Sequence, residues 1–395
     1  MNVRNVLGRL AAAADERAAA GLRRTLVPRD GSMLDLASND YLGLCEDPRV
    51  TAGAIAAARE WGAGATGSRL VTGTTALHAS LEESLADFMQ AQRALVLSSG
   101  YLANLAVITA LSAALSPDGV LIVSDERNHA SLIDACRLAR SSRVRLAIAP
   151  HRDVAAVESL LADRTEEHAL VVSDAVFSVD SALAPVVELH AAVKEHGALL
   201  VLDEAHALGV LGPGGRGVSL GFAGEPELIR TVTLSKALAS QGGAILGAPE
   251  IIETVIDTGR AFIFDTGLAP PCAGAARAAL DVLRESPDLP ARARTAARRL
   301  AQVAADLGLA PVPPSAAVLA IILGSADAAV QAREICAKNG VRAGCFRPPS
   351  VPDGQACLRL TARATLTEGD FVVAARALTS VRDHIGVDVN PTFRQ

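Results

Sequence analysis

Lysine is nearly missing from this chain of 395 residues: of its 37 basic residues, only Lys194, Lys236 and Lys338 are lysine. None of the three follows a glycine, so the Gly-Lys-Ser/Thr phosphate loop of ATPases is excluded. Cysteine is thin and scattered. Cys45, Cys136, Cys272, Cys336, Cys345 and Cys357 show neither metal-ligand nor redox-pair spacing, which suits buried or idle thiols in a reducing cytoplasm and gives no metal site to expect. An excess of basic charge is lacking as well. The 37 basic residues stand against 43 acidic ones, for a net charge of -6, with both signs spread along the chain. That distribution offers no stripe for nucleic acid and no polybasic membrane anchor. Long apolar runs are also missing. Arg4, Arg9, Asp15 and Glu16 interrupt the first residues, and Ser98, Ser99, Gly100 and Asn104 break the stretch from Ala94 to Leu115, so neither a signal peptide nor a membrane span is expected. The expectation is a cytoplasmic protein with small-molecule partners.

What is present is apolar material, 50% of the residues, enough for a large core and one catalytic unit of two lobes. Val6 to Arg24 carry alanine, leucine and arginine at helical spacing, and Pro28 to Gly31 break the pattern before a short extended segment, Leu34 to Leu36. Residues 1–50 thus read as an N-terminal arm. From 51 to 270, strand-like runs alternate with alanine-rich helical stretches: Ala94 to Leu97, Val120 to Ser124, Arg145 to Ala149, Ala169 to Ser173, Ala198 to Asp203, Thr231 to Leu234 and Ala244 to Leu246. Most are continuous apolar runs, so the fold class is α/β, with a mainly parallel seven-stranded sheet covered by helices on both faces. Sites in such sheets lie at the carboxyl ends of the strands. Residues 271–395 suit a smaller C-terminal α+β domain. An alanine- and arginine-rich helical region runs from Pro270 to about Leu307, and the runs Val318 to Leu323, Gly340 to Cys345 and Cys357 to Thr361 follow, with a helix near Asp327 to Lys338 between them.

The scarcity of lysine gives Lys236 its interest. An isolated lysine is by default a solvated surface residue, and Lys194, on a helix before His196-Gly197, and Lys338, before the helix stop Asn339-Gly340, fit that reading. Lys236 instead leaves the run Thr231 to Leu234 into a turn of small uncharged residues. A partly desolvated amine there has its pKa lowered and can form an imine and move protons. The run Ala198 to Asp203 ends in the string Asp203-Glu204-Ala205-His206. Its aspartate can keep a pyridine nitrogen protonated, and His206 can reach a neighbouring ring oxygen.

Gly62, Gly64 and Gly67 match the dinucleotide fingerprint, but a helix-like segment precedes them rather than a strand, so they read as a backbone turn that closely approaches a ligand or a subunit boundary. Ser98-Ser99-Gly100-Tyr101 opens a helix after a strand and makes an anion site, or simply a capped helix start. His129 and Ser178 each sit just past a strand. Either is structural by default, or lies at the sheet edge where a ring-shaped cofactor would be held.

Strings in this order resemble the α-oxoamine synthases, a family of fold-type-I pyridoxal 5'-phosphate enzymes within the class-II aminotransferases. They are Ser38 to Leu44, Gly67 to Gly73, Ser99-Gly100-Tyr101, Asn128 to Leu132, Asp203 to His206, Thr233 to Lys236, Arg347-Pro348-Pro349 and Leu358 to Thr361. The resemblance implies an acyltransferase in which Lys236 joins the cofactor aldehyde, Asp203 pairs with its pyridine nitrogen, and His206 and Ser178 contact its ring oxygen. His129 stacks over the ring and serves in catalysis with Lys236 and Asp203. Gly100, Tyr101 and Thr233 hold the phosphate with Thr266 of the partner subunit, so a homodimer with shared sites is implied.

Arg359 would take the amino-acid carboxylate, for which its planar fork is suited; Asn39 and His129 also face substrate. The arm Gly21 to Arg24 and the segment Arg347 to Pro352 look most like the members that condense L-alanine with a pimeloyl thioester carried by coenzyme A or an acyl-carrier protein. Arg23 then recognises the distal carboxylate and Ser350 lies near the substrate. Glycine-using members and a catalytically silent relative remain alternatives. The chain departs from the pattern at Asp265, where a hydroxyl residue is common, and at Leu366, where many relatives carry histidine.

Overall fold

The structure, a computed structural model, describes residues 3–29 and 31–385. Strand β1 (Leu34–Leu36) is followed by β2 (Arg93–Leu97), β3 (Val120–Asp125), β4 (Val144–Ala149), β5 (His168–Asp174), β6 (Leu199–Asp203), β7 (Leu228–Thr233) and β8 (Gly243–Gly247). β9 (Val318–Gly324), β10 (Val341–Phe346) and β11 (Ala356–Thr361) come later.

The chain divides into two compact units, one of residues 39–178 and 182–293, the other of residues 1–38, 179–181 and 294–395. In the first, a seven-stranded sheet runs in the order β2-β8-β7-β6-β5-β3-β4. Only β8 is reversed, antiparallel to both β2 and β7, while the pairs from β7 to β4 are parallel. Each of the expected apolar runs forms one of these strands. β6 and β7 are buried along most of their length, as strands covered on both faces must be. The carboxyl ends Asp174, Asp203 and Thr233 fall along one edge.

Helix Gly100–Leu115 crosses one face, burying Ala103, Ala106, Val107, Ile108, Ala110 and Leu111 in a core shared with Ile122, Val172, Val201 and Ile245. By length and composition its segment to Asp118 is apolar enough to cross a membrane; here it packs on the sheet. Its start is fixed by Ser99, whose hydroxyl accepts from the Leu102 N–H.

The expected boundary at residue 270 lies elsewhere in the structure. Helix Pro270–Glu285 packs on helices Pro48–Trp61 and Ala76–Met89 of the sheet unit, so it stays with that unit. Gly53 and Gly274 allow the closest approach: a Cβ on Gly274 would lie 2.5 Å from the Gly53 carbonyl oxygen. The long helical region breaks at Ser286-Pro287, and a second helix, Leu289–Asp306, follows.

The other unit holds the four-stranded sheet β1-β10-β11-β9. Leu36, Leu319, Ile321, Leu358, Leu360, Phe371 and Leu378 share its core. Within this unit the arm is tied down by Arg347, whose guanidinium donates to the carbonyls of Gly21 and Arg23. Gly21 sits at φ +66, and a side chain there would meet Asp327. The arm helix spans Val3–Ala19 and ends in the turn Ala20-Gly21, ahead of the break expected at Pro28 to Gly31.

Candidate active site

The sheet unit brings Gly100, Tyr101, His129, Ser178, Asp203, His206, Thr233 and Lys236 to the carboxyl edge of its strands. Arg23, Ser350 and Arg359 belong to the other unit, and Asn39 to the sheet unit. Lys236 lies in the tight turn from β7 to β8, where Leu234 N–H donates to the Gly242 carbonyl at 2.9 Å and Ala239 N–H to the Lys236 carbonyl at 2.9 Å. Its amine is half-buried, and its positive charge reaches both His129 and Asp174.

Asp203 and Asp174 end adjacent parallel strands as register partners, both buried. Burial raises the Asp174 carboxyl well above the usual carboxylate range, and the Asp203 charge adds to the rise. One Asp203 oxygen accepts the Ala205 N–H at 2.8 Å and the other the Asn104 side-chain amide at 2.7 Å. Each carboxylate oxygen has two acceptor sites, so room for another donor remains. His129 caps helix Ala130–Ala139 with Nδ1. Its backbone N–H donates to Asp174 at 2.6 Å. Burial lowers the His129 pKa, Asp203 opposes that shift, and Lys236 adds to it. His206 is buried, and its Nδ1 lies 2.5 Å from the hydroxyl of Tyr41, which is buried in turn and bonded to Asn39 at 3.3 Å.

At the N-terminus of Gly100–Leu115 a helix start meets the end of β7 and the beginning of β8. A Cβ on Gly100 would lie 3.1 Å from Thr233, and one on Gly243 would lie 2.5 Å from Gly100 backbone. The Thr233 and Ser235 hydroxyls are 2.7 Å apart at that helix start. Backbone N–H groups, the helix dipole and hydroxyls together favour a phosphate. Two side chains are otherwise engaged: the Tyr101 hydroxyl donates to Asp134 at 2.5 Å, and Ser98 donates to Asp265. Asp265 is thus a hydroxyl's acceptor beside the anion site. Thr266 is exposed and bridges Ser68 across the Gly67 turn.

That turn is a close backbone crossing, where a Cβ on Gly73 would lie 2.4 Å from the Gly67 carbonyl oxygen. Gly62 ends a helix, which removes the dinucleotide reading. Arg359 is buried on β11 with its guanidinium over the Phe346 ring at 4.5 Å. Arg23 and Ser350 are exposed.

A phosphate cradle, a buried carboxylate with spare acceptor capacity, a capping imidazole and a half-buried lysine fit pyridoxal phosphate. Four contributors had no role assigned from sequence: Asn104, Ser131, Asp174 and Tyr41. Asp174 could have been found by the argument used for Asp203, an acid closing an apolar strand. Asn104 could have been found as a carboxamide inside an otherwise uncharged helix.

The sequence profile of the aminotransferase class I and II family matches residues 31–378. Among curated relatives, the 8-amino-7-oxononanoate synthase of Mycobacterium sp. (strain JLS) is 54% identical over 372 residues, 93% of this chain and 94% of the relative. That of Mycolicibacterium gilvum is 55% identical over 370 residues, 93% of this chain and 94% of the relative. The serine palmitoyltransferase of Sphingomonas wittichii superposes with a TM-score of 0.88 at 28% identity, over 98% of this chain and 100% of that one. The 8-amino-7-oxononanoate synthase of Francisella tularensis gives a TM-score of 0.74 at 26% identity, over 90% and 99% of the two chains. A serine palmitoyltransferase solved with pyridoxal phosphate also gives a TM-score of 0.88 at 26% identity, over 98% and 100% of the chains. With strand order, edge residues and these likenesses in agreement, the chain belongs to the aminotransferase class I and II family, in its branch of pyridoxal-phosphate-dependent acyl-transferring synthases.

Proposed function

We propose that this chain catalyses the 8-amino-7-oxononanoate synthase reaction of biotin biosynthesis. It condenses L-alanine with a pimeloyl thioester, releasing the thiol and carbon dioxide. Support comes from full-length relatives of that name at 54% identity. The observation that carries the reading is that Lys236, in the turn that leaves β7, stands at the same carboxyl edge of the large sheet as His129 and the buried Asp203.

Pyridoxal phosphate, when bound, supplies an electron sink for negative charge on the amino-acid Cα. The chain's own groups do the rest. Lys236 would hold the aldehyde and, as a free amine, take the Cα proton. Asp203 would keep the pyridine nitrogen protonated, which makes the sink effective. His129 would stack over the ring, and His129 or Lys236 would return a proton to the product carbon. His206, held by Tyr41, and Ser178 bind at the ring oxygen. Gly100, Tyr101 and Thr233 bind the phosphate, joined by Thr266 of the partner subunit in a homodimer. Arg359 and Asn39 orient the amino acid, while Arg23 and Ser350 serve the acyl chain.

Purified protein given L-alanine and pimeloyl-coenzyme A is expected to release thiol and carbon dioxide in equal amounts. Glycine with short acyl thioesters as the better pair would replace this reading with that of a glycine-using synthase. Lys236→Ala is expected to lose the visible cofactor absorbance and the condensation together; turnover by that variant would sink the lysine's role.

A further inference from the structure

Asn104 lies one turn into the uncharged helix Gly100–Leu115, with 1% of its surface exposed. Three of its amide's four hydrogen-bonding directions are used. Thr231 Oγ1 donates to Asn104 Oδ1 at 2.6 Å, and Asn104 Nδ2 donates both to Asp203 Oδ2 at 2.7 Å and to Ser131 Oγ at 2.8 Å. Ser131, also buried, lies with its hydroxyl 2.7 Å from His129 Nδ1, and its backbone N–H donates to that same nitrogen at 3.2 Å.

The network can run in only one sense. An ionised carboxylate accepts and never donates, so the amide must turn its NH2 to Asp203 and its oxygen to Thr231. The second amide proton fills a Ser131 lone pair, so the serine's own proton points at His129. Nδ1 is therefore an acceptor twice over, and the neutral ring carries its proton on Nε2. A buried amide with this much to satisfy is costly to misplace.

From this arrangement we infer that Asn104 is a positioning residue for both faces of the chemistry. It holds Asp203 as an oriented acceptor for the pyridine nitrogen, and through the Ser131 hydroxyl it adds a second donor to His129 Nδ1, beside the Ser131 N–H, in support of the Nε2–H tautomer, the form that can hand a proton to substrate. The inference rests on the pyridoxal-phosphate reading above, but not on the identity of either substrate.

The decisive substitution is Asn104→Asp, which keeps shape and volume and retains an acceptor for Thr231 but removes both donors. Apoprotein is titrated with pyridoxal phosphate, and the histidine side-chain nitrogens of the reconstituted protein are observed by 15N NMR near neutral pH. Asn104→Asp is expected to weaken cofactor affinity at least tenfold and to shift the His129 Nδ1 resonance, because the carboxylate takes the Ser131 hydroxyl proton away from that nitrogen. Ser131→Ala removes the hydroxyl from the histidine arm and keeps the residue-131 N–H on Nδ1. It is expected to bind cofactor within twofold of the parent, to shift the His129 Nδ1 resonance, and to lower kcat for alanine without moving its KM.

Affinity within twofold in Asn104→Asp, or an unmoved His129 Nδ1 resonance in Ser131→Ala, would overturn the inference. If Asn104→Asp does not fold, Thr231→Val replaces it as the affinity test. That variant removes the hydrogen bond that anchors the amide oxygen and so loosens the hold on Asp203, and an unchanged affinity there counts against the inference. Failure of the alanine and pimeloyl assay with these binding results intact would overturn the substrate assignment alone. Failure of the parent to bind cofactor would remove both.

Discussion

At the scale of single residues, the site is governed by where charge is allowed to reside. Two carboxyls end adjacent strands, and Asp174 is the one whose pKa is raised, through burial first and the Asp203 charge second. Lys236 and the His129 N–H oppose that rise, and Asp125 adds to it. A carboxyl whose folded pKa is raised binds its proton more tightly folded than unfolded. Its contribution to stability is therefore full below the ordinary carboxylate range and is lost as pH climbs through the folded pKa.

Asp174→Asn, neutral at every pH and still able to accept from His129, is expected to raise the thermal midpoint at pH 8. The gain should be about 2 °C for each kcal/mol recovered. Thermal scans from pH 8 down to pH 4 should show that gain shrinking; a midpoint below the parent's at pH 8 would contradict the assignment. The strand's apolar run pointed to its end, but the raised pKa of Asp174 comes from its burial and from Asp203 beside it, which no local pattern contains.

Among the elements, the crossing of helices Pro48–Trp61 and Pro270–Glu285 turns on Gly53 and Gly274. Alanine is favoured over glycine within a helix by about 1 kcal/mol. Against this, a Cβ on Gly274 would stand 2.5 Å from the Gly53 carbonyl oxygen and 2.6 Å from the Ala57 Cβ, a backbone contact that cannot yield cheaply. Overpacking of this kind costs roughly 1–3 kcal/mol. The clash should win, so Gly274→Ala is expected to lower the urea midpoint of unfolding, and a raised midpoint would show that the helices can part. The same crossing explains why the boundary expected at 270 was misplaced. The proline pair marks where a helix starts, whereas the unit to which that helix belongs depends on the partner it packs against, more than 200 positions earlier.

For the whole molecule, the proposed homodimer has a consequence for how sites are shared. If Thr266 serves the phosphate of the opposite subunit, a hybrid dimer of Lys236→Ala with Thr266→Ala holds one site in which lysine and threonine are both intact. That site is expected to bind cofactor with the affinity of the parent. Were Thr266 to act within its own chain, the only lysine-bearing site would lack it, and titration of purified hybrids would show weakened binding throughout.

The sequence by itself determined the strands, because burial on both faces writes them as continuous apolar runs. It also placed the acid, the histidines and the lysine at their carboxyl ends, where a strand must release the chain into a loop. Lys236 was legible because arginine displaced lysine almost everywhere else. Tertiary structure alone decided which of these groups answer to one another. Asn104, Ser131 and Thr231 lie on three separate segments, and what joins them to Asp203 and His129 is the direction of each hydrogen bond, a property that exists only once donors and acceptors are brought within about 3 Å.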